Sequence, residues 1–150
     1  MNETFEAQDD KMFFFPDIER ERGEIERVAE TVLRIESARG KDEFFTKFVE
    51  RANASKLIPL TDDLWSNLQN TDSYDILSGG WDAVRDHAVD GHPDYPRDWE
   101  KMREKLAGGV PLGAPIILKT NDELHLVSGN TRLMVARAVG IIPEVLLVEM

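Results

Sequence analysis

The sequence predicts an α+β fold: a small mixed sheet with helices, preceded by an N-terminal helical segment. Three observations predict it. Apolar residues recur at helical spacing through the first 56 positions. The middle of the chain alternates helical stretches with Gly- and Pro-containing breaks. The last forty residues change to a strand, turn, strand, helix, strand order.

Residues 1–11 are polar and aperiodic, so a disordered tail is expected there. Met12 and Phe13 to Phe15 form the first apolar cluster and can anchor the tail to a core. Pro16-Asp17 then opens a helix, with Asp17 suited to its positive end. Ile18, Ile25, Val28, Val32 and Ile35 share one face of that helix, which is expected to run to about Arg39 and stop at Gly40. A second helix is expected from Asp42, burying Phe44, Phe45, Phe48 and Val49. These helices make up the segment 12–56. The seam Ile18 to Ile35 is open to two partners, its own domain or a second copy of the chain in a homodimer.

Residues 57–150 read as the α+β unit. Leu57 to Leu60 is a short strand, and Thr61 caps a helix carrying Leu64, Trp65 and Leu68 on its apolar side. Gly79-Gly80 breaks the chain, Trp81 to Val89 is helical, residues 90–96 form a loop, and Asp98 to Leu106 is helical up to Gly108-Gly109. Pro115 to Leu118 and Leu124 to Val127 form a hairpin about Asn121-Asp122. A helix follows from Thr131 to Val139, with Leu133, Met134, Ala136 and Val139 on its inner side. Gly140 stops it, and Val145 to Val148 is the last strand.

Composition narrows the function. Of 150 residues 41% are apolar and 31% charged, which is globular composition. No apolar run approaches the ~20 residues of a membrane span, and no secretory leader is legible, so a cytoplasmic location is expected. With no cysteine there are no disulfides, thiolate metal sites or cysteine nucleophiles. The net charge of −11 divides as −4 over residues 1–56, −6 over 57–110 and −1 over 111–150. Such a surface argues against tight, nonspecific DNA binding, which rests on neutralising phosphates.

The turn Ser128-Gly129-Asn130-Thr131-Arg132 is the candidate binding site. It joins a strand to a helix start, where backbone N–H groups lack intrahelical partners and the helix dipole is positive. Gly129 can let a phosphate approach the backbone, Ser128 and Thr131 add hydroxyls, and Arg132 adds a bidentate cation. The same residue types also serve as ordinary caps and turns. His87, His92 and His125 lack zinc-ligand spacing, and no Walker loop or nucleophile elbow is present. Trp65, Trp81 and Trp99 read as core residues.

The stretch APIILKTNDELHLVSGNTRLMVARAVGIIPEVLLVEM, Ala114 to Met150, resembles the core of the ParB/sulfiredoxin superfamily. The shared pattern is a strand beginning with Pro, a strand ending in a Gly turn, an Arg-bearing helix start, a Gly stop and a final strand. The resemblance covers about a quarter of the chain, or residues 57–150 if Leu57 to Leu60 supplies the first strand. It implies nucleotide binding (ATP, ADP or CTP, with Mg²⁺) at Gly129 and Arg132. Sulfiredoxin chemistry is excluded, because Asn130 and Thr131 stand where that branch has Cys and His. Partitioning members carry a helix-turn-helix and further basic segments downstream of this core, none of which is read before Met150, so a partitioning role is not expected. Free-serine kinases of the superfamily use an Asp-Gly-His-Thr-Arg turn, and Ser128 and Asn130 depart from it. Phosphotransfer by that route implies a catalytic acid just after the first strand, at Asp62 or Asp63. Metal ligands are left among Asp62, Asp63, Asp72, Asp75, Asp82 and Asp86. Small acidic members of this kind are also similar to phage proteins associated with DNA modification or nucleases. The competing reading is a non-catalytic acidic scaffold that dimerises or binds a basic partner.

Overall fold

The computed structural model describes residues 13–69, 81, 82, 85 and 99–150. Among them are seven strands and five α-helices. Strand β1 (Phe13–Phe14) leads through a 3₁₀ turn (Ile18–Glu21) into helices α1 (Arg22–Thr31) and α2 (Ala38–Asn53). Strand β2 (Leu57–Pro59), helix α3 (Asp62–Ser66), strand β3 (Leu68–Gln69) and helix α4 (Trp99–Ala107) follow. Strands β4 (Leu112–Gly113), β5 (Ile116–Thr120) and β6 (Glu123–Ser128) precede helix α5 (Asn130–Ala138) and strand β7 (Glu144–Glu149).

The main sheet is mixed, in the order β2-β7-β5-β6-β3. β5 lies at its centre, parallel to β7 and antiparallel to β6. Both neighbours and both faces of β5 are covered, which is why Ile116, Ile117 and Leu118 form an unbroken apolar run. Their side chains still alternate: Ile116 and Leu118 join the cluster under α1 and α2, and Ile117 joins the cluster under α5. The hairpin turns at Asn121 (φ 52°) and Asp122 (φ 64°), the two positive values that a two-residue turn matching strand twist requires. A second, two-stranded sheet pairs β1 with β4 in parallel.

Helices cover both faces. On one side Phe44, Phe45 and Phe48 of α2 and Ile25, Val28 and Ala29 of α1 pack on Ile116, Leu118, Val127, Leu146 and Val148. The segment 12–56 therefore shares a core with residues 57–150, and the seam Ile18, Ile25, Val28 is buried against the chain's own sheet. On the other side Leu133, Met134, Val135, Ala136 and Ala138 of α5 pack with Trp99 and Leu106 of α4. α5 is buried around most of its circumference because α4 covers the face turned away from the sheet.

The helix expected from Ile18 to Arg39 is instead a 3₁₀ turn plus α1, ending at Thr31. The chain reverses at Arg34, whose φ of 61° is left-handed, and the Ile35 N–H reaches back to the Ala29 carbonyl at 3.0 Å. α2 then begins at Ala38, ahead of the expected Asp42, because the Ser37 hydroxyl accepts from the Gly40 N–H at 3.0 Å. Gly40 is thus a first-turn residue and not a stop. A Cβ there would meet Ile35 Cγ2 at 2.7 Å and Ser37 Oγ at 2.8 Å, so glycine lets the cap close. Ion pairs from Arg22 to Asp42 and from Lys41 to Glu30 tie α1 to α2. The hydrogen bond to Glu30 holds the Lys41 ammonium above its ordinary pKa, against the opposing cost of desolvation.

The glycine stops at the ends of α4 and α5 are as expected. Gly109 (φ 76°) and Gly140 (φ 80°) take the left-handed conformation, and the next N–H groups return to Lys105 and Ala136. The Thr61 cap is present too, accepting from the Leu64 N–H at 3.2 Å. Strands β1, β3 and β4 were not expected, since two-residue strands are too short to show an alternation. Of the expected helix Trp81–Val89, residues Trp81, Asp82 and Arg85 are helical. The tail 1–11, Gly79-Gly80, the loop 90–96, Asp72, Asp75, Asp86, His87 and His92 lie outside the described residues. Among the described residues no helix is long and apolar enough to cross a membrane.

Candidate functional site

β6 delivers the turn. Its pairing with β5 shifts between Ile116 and Ile117, so that Ile116 faces Ser128 while Ile117 faces Leu126 and Val127 is the extra residue. Such a bulge bends the strand end and re-aims its side chains. Ser128 is buried, Gly129 turns the chain at φ 94°, and Asn130 begins α5. Gly129 is required for two reasons. Its φ is left-handed, and a Cβ would meet Pro115 Cα at 2.7 Å and Pro115 Cβ at 2.8 Å. The space beside it is filled by the start of β5, so the tight packing of Pro115 by itself demands glycine.

Two donors of the turn, one from Ser128 and one from Arg132, converge on one carboxylate. Ser128 Oγ donates to Glu21 Oε1 at 2.8 Å, and Arg132 Nη2 donates to the same oxygen at 3.2 Å. Arg132 Nη1 donates to the Gly113 carbonyl at 2.7 Å. Gly113 lets the guanidinium sit close, since a Cβ would lie 3.0 Å from Arg132 Nη1 and press it aside. Glu21 stands at the N-terminal boundary of α1. Its carboxylate therefore lies where the starts of α1 and α5 meet, and both helix dipoles favour a negative charge there. The ion pair is partly buried, at 20% exposure for Arg132 and 23% for Glu21.

The whole turn, Ser128 to Arg132, lines a cleft of about 340 Å³. Glu21, Glu24 and Arg27 of the N-terminal segment and Met102 of α4 complete its walls. Arg27 and Glu24 approach each other at 3.5 Å. The cleft thus holds two arginines and two carboxylates in balance. Mg²⁺ commonly binds through one or two carboxylates plus phosphate oxygens, and Glu21 and Glu24 are the carboxylates that line this cleft. Among the described residues no group of three or more His, Asp or Glu side chains is arranged to hold a metal ion.

Comparison of the chain with protein-family models, curated proteins and solved structures finds no match in any of the three.

The five turn residues are brought together in one cleft, but Asp62 and Asp63 do not line it. Asp62 pairs with Arg137 at 3.3 Å, near the C-terminal end of α5. From Asn130 to Arg137 the helix rises about 10 Å. Asp62 is 92% exposed, in a separate depression with Gly140, Ile141 and Ile142. Arg137 also lies over the Trp65 ring, 4.9 Å from its centroid. Asp82 pairs with Arg85 at 3.2 Å. His125 meets Glu123 at 3.1 Å and lines a cavity of about 220 Å³ with Val28 and Val32 of the α1 side.

Sequence reasoning missed Glu21, Gly113, Glu24 and Arg27. For Glu21 a signal was present. It falls three residues after Ile18 and four before Ile25, inside the apolar stripe, where a carboxylate needs a partner when the stripe is buried.

Proposed function

We propose that this chain binds a phosphorylated ligand, a nucleotide first among them, at Ser128–Arg132, with phosphotransfer as the reaction class to test. The observation that carries the reading is the convergence of Ser128 Oγ and Arg132 Nη2 on a single anionic oxygen of Glu21 beside the α5 start. Donors arranged to hold a carboxylate oxygen are chemically suited to a phosphoryl oxygen. The resemblance of Ala114–Met150 to the ParB/sulfiredoxin core supports the same choice of ligand. Glu21 and Glu24 are the residues that would hold Mg²⁺, which neutralises phosphate charge when bound with a nucleotide. No catalytic role is assigned to Asp62 or Asp63: neither lines the cleft, and Asp62 pairs with Arg137 near the other end of α5.

Thermal melting with ATP, ADP or CTP and Mg²⁺ tests the reading. A ligand at a hundred times its Kd adds about 2.7 kcal/mol, which raises Tm by about 5–10 °C in a chain of this size. Arg132→Ala is expected to abolish the shift, and Arg132→Lys to weaken binding at least about tenfold, since a point charge loses the fork geometry. A shift that survives Arg132→Ala puts the ligand elsewhere. A further expectation concerns Glu21. In Mg²⁺-free buffer Glu21→Gln should strengthen phosphate binding, because a competing anion is gone. With Mg²⁺ present the same change should weaken it. Calorimetric titration with and without the metal separates the two signs.

A second reading has its own observation. Glu21 already holds the Ser128 hydroxyl and one arm of the Arg132 guanidinium, so the contact can act as a staple between the N-terminal segment and α5 in a non-catalytic acidic scaffold. Absence of any nucleotide or phosphate response would leave that reading standing.

A further inference from the structure

The ion pair Glu21–Arg132 is a shared wall. On one side is the cleft at the turn, about 340 Å³. On the other is a second cavity of about 400 Å³, lined by Phe14, Pro16, Asp17 and Arg20 with Gly113. Both side chains of the pair line both cavities. Each alone is at the small end of the range for ligand sites, about 300–1,000 Å³, and together they suit a ligand with two chemically distinct halves.

The second cavity is unlike the first in one respect. Phe13 is buried, while the next ring, Phe14, is 51% exposed and faces this cavity. Over Gly113 the Phe14 ring and the Arg132 guanidinium are neighbours: a Cβ placed there would be 3.5 Å from Phe14 Cε1 and 3.0 Å from Arg132 Nη1. An open aromatic face beside an anion-holding guanidinium suits a planar base attached to a phosphate. Resting on the phosphate reading above, we infer that the ligand is a nucleotide lying across the Glu21–Arg132 pair. Its phosphates lie at the α5 start and its base lies against Phe14. Inorganic phosphates would use the first cavity alone. Displacement of the Glu21 side chain opens the wall between the two.

Calorimetric titration of the full chain with Mg²⁺, using ATP and CTP against inorganic tripolyphosphate, tests this. The nucleotides are expected to bind at least about tenfold more tightly, as base–aromatic stacking provides. Phe14→Ala should remove that advantage and leave tripolyphosphate affinity unchanged. Phe14→Trp should retain it, with indole fluorescence quenched by nucleotide and not by tripolyphosphate. Equal affinity for nucleotide and tripolyphosphate in the unaltered chain overturns the base site and leaves the phosphate cradle intact. So does a Phe14→Ala chain with full nucleotide preference. A Phe14→Ala chain that loses both ligands equally also overturns the base site, since Phe14 then supports the cleft as a whole and not the base. Binding of neither ligand removes the cradle itself, and the base site with it.

Discussion

A Phe48→Ala chain is expected to lose about 3–5 kcal/mol of stability, the cost of emptying a large aromatic site in a packed core. Phe48 is 1% exposed, on the face of α2 that meets the sheet. Its ring meets that of Phe44 in a tilted contact, with centroids 5.9 Å apart, and it shares a cluster with Ile116, Leu118, Leu146 and Val148. The expected fall in Tm is on the order of 10 °C, and urea denaturation gives the free energy directly. The same packing predicts that a chain beginning at Leu57 does not fold alone. Without α1 and α2, one apolar face of β5 and β7 would be left in water, together with the Ser128 and Arg132 groups that Glu21 holds. Cooperative melting of that truncated chain near the full-length Tm would falsify the shared core. The outcome bears on function as well, since Glu21, Glu24 and Arg27 enter the cleft from this segment.

Gly129→Ala is the second large effect, expected at about 2–5 kcal/mol without any ligand present. Left-handed backbone costs a side-chain-bearing residue about 1–2 kcal/mol, and forced overpacking adds about 1–3 kcal/mol. The overlap is with Pro115 Cα, a backbone atom of the chain leading into central β5, which has little room to yield. Gly23→Ala is the matched control. Gly23 lies in α1, where a Cβ meets nothing within 4 Å, so that change should stabilise by roughly 0.5–1 kcal/mol. If Gly129→Ala leaves the urea midpoint where it was, the turn is looser than Pro115 allows. A phosphate ligand would then be the better reason for the glycine.

Legibility followed the length of each pattern. β5, β6, β7 and α5 were readable because apolar runs, a two-residue turn and glycine stops act locally, through backbone sterics and burial. The α1–α2 boundary was not, because the apolar spacing runs on through Val32 and Ile35. The break comes from a left-handed Arg34 and a Ser37 cap that compete with helix continuation. β1 and β4 exist only because they pair with each other. Of the site, the turn itself could be read, and its partners could not.

By itself the sequence determined the α+β class, the hairpin, the strand–glycine–helix turn and the exclusion of cysteine chemistry. These depend on residue identity and on neighbours a few positions away. Only the tertiary structure decided that the N-terminal helices complete the core, that Glu21 lies on Ser128 and Arg132, and that Asp62 stands at the far end of α5. Those are contacts between residues up to 111 positions apart. Local propensity carries no information about such pairs, because their geometry is set by which faces of the sheet the helices must cover.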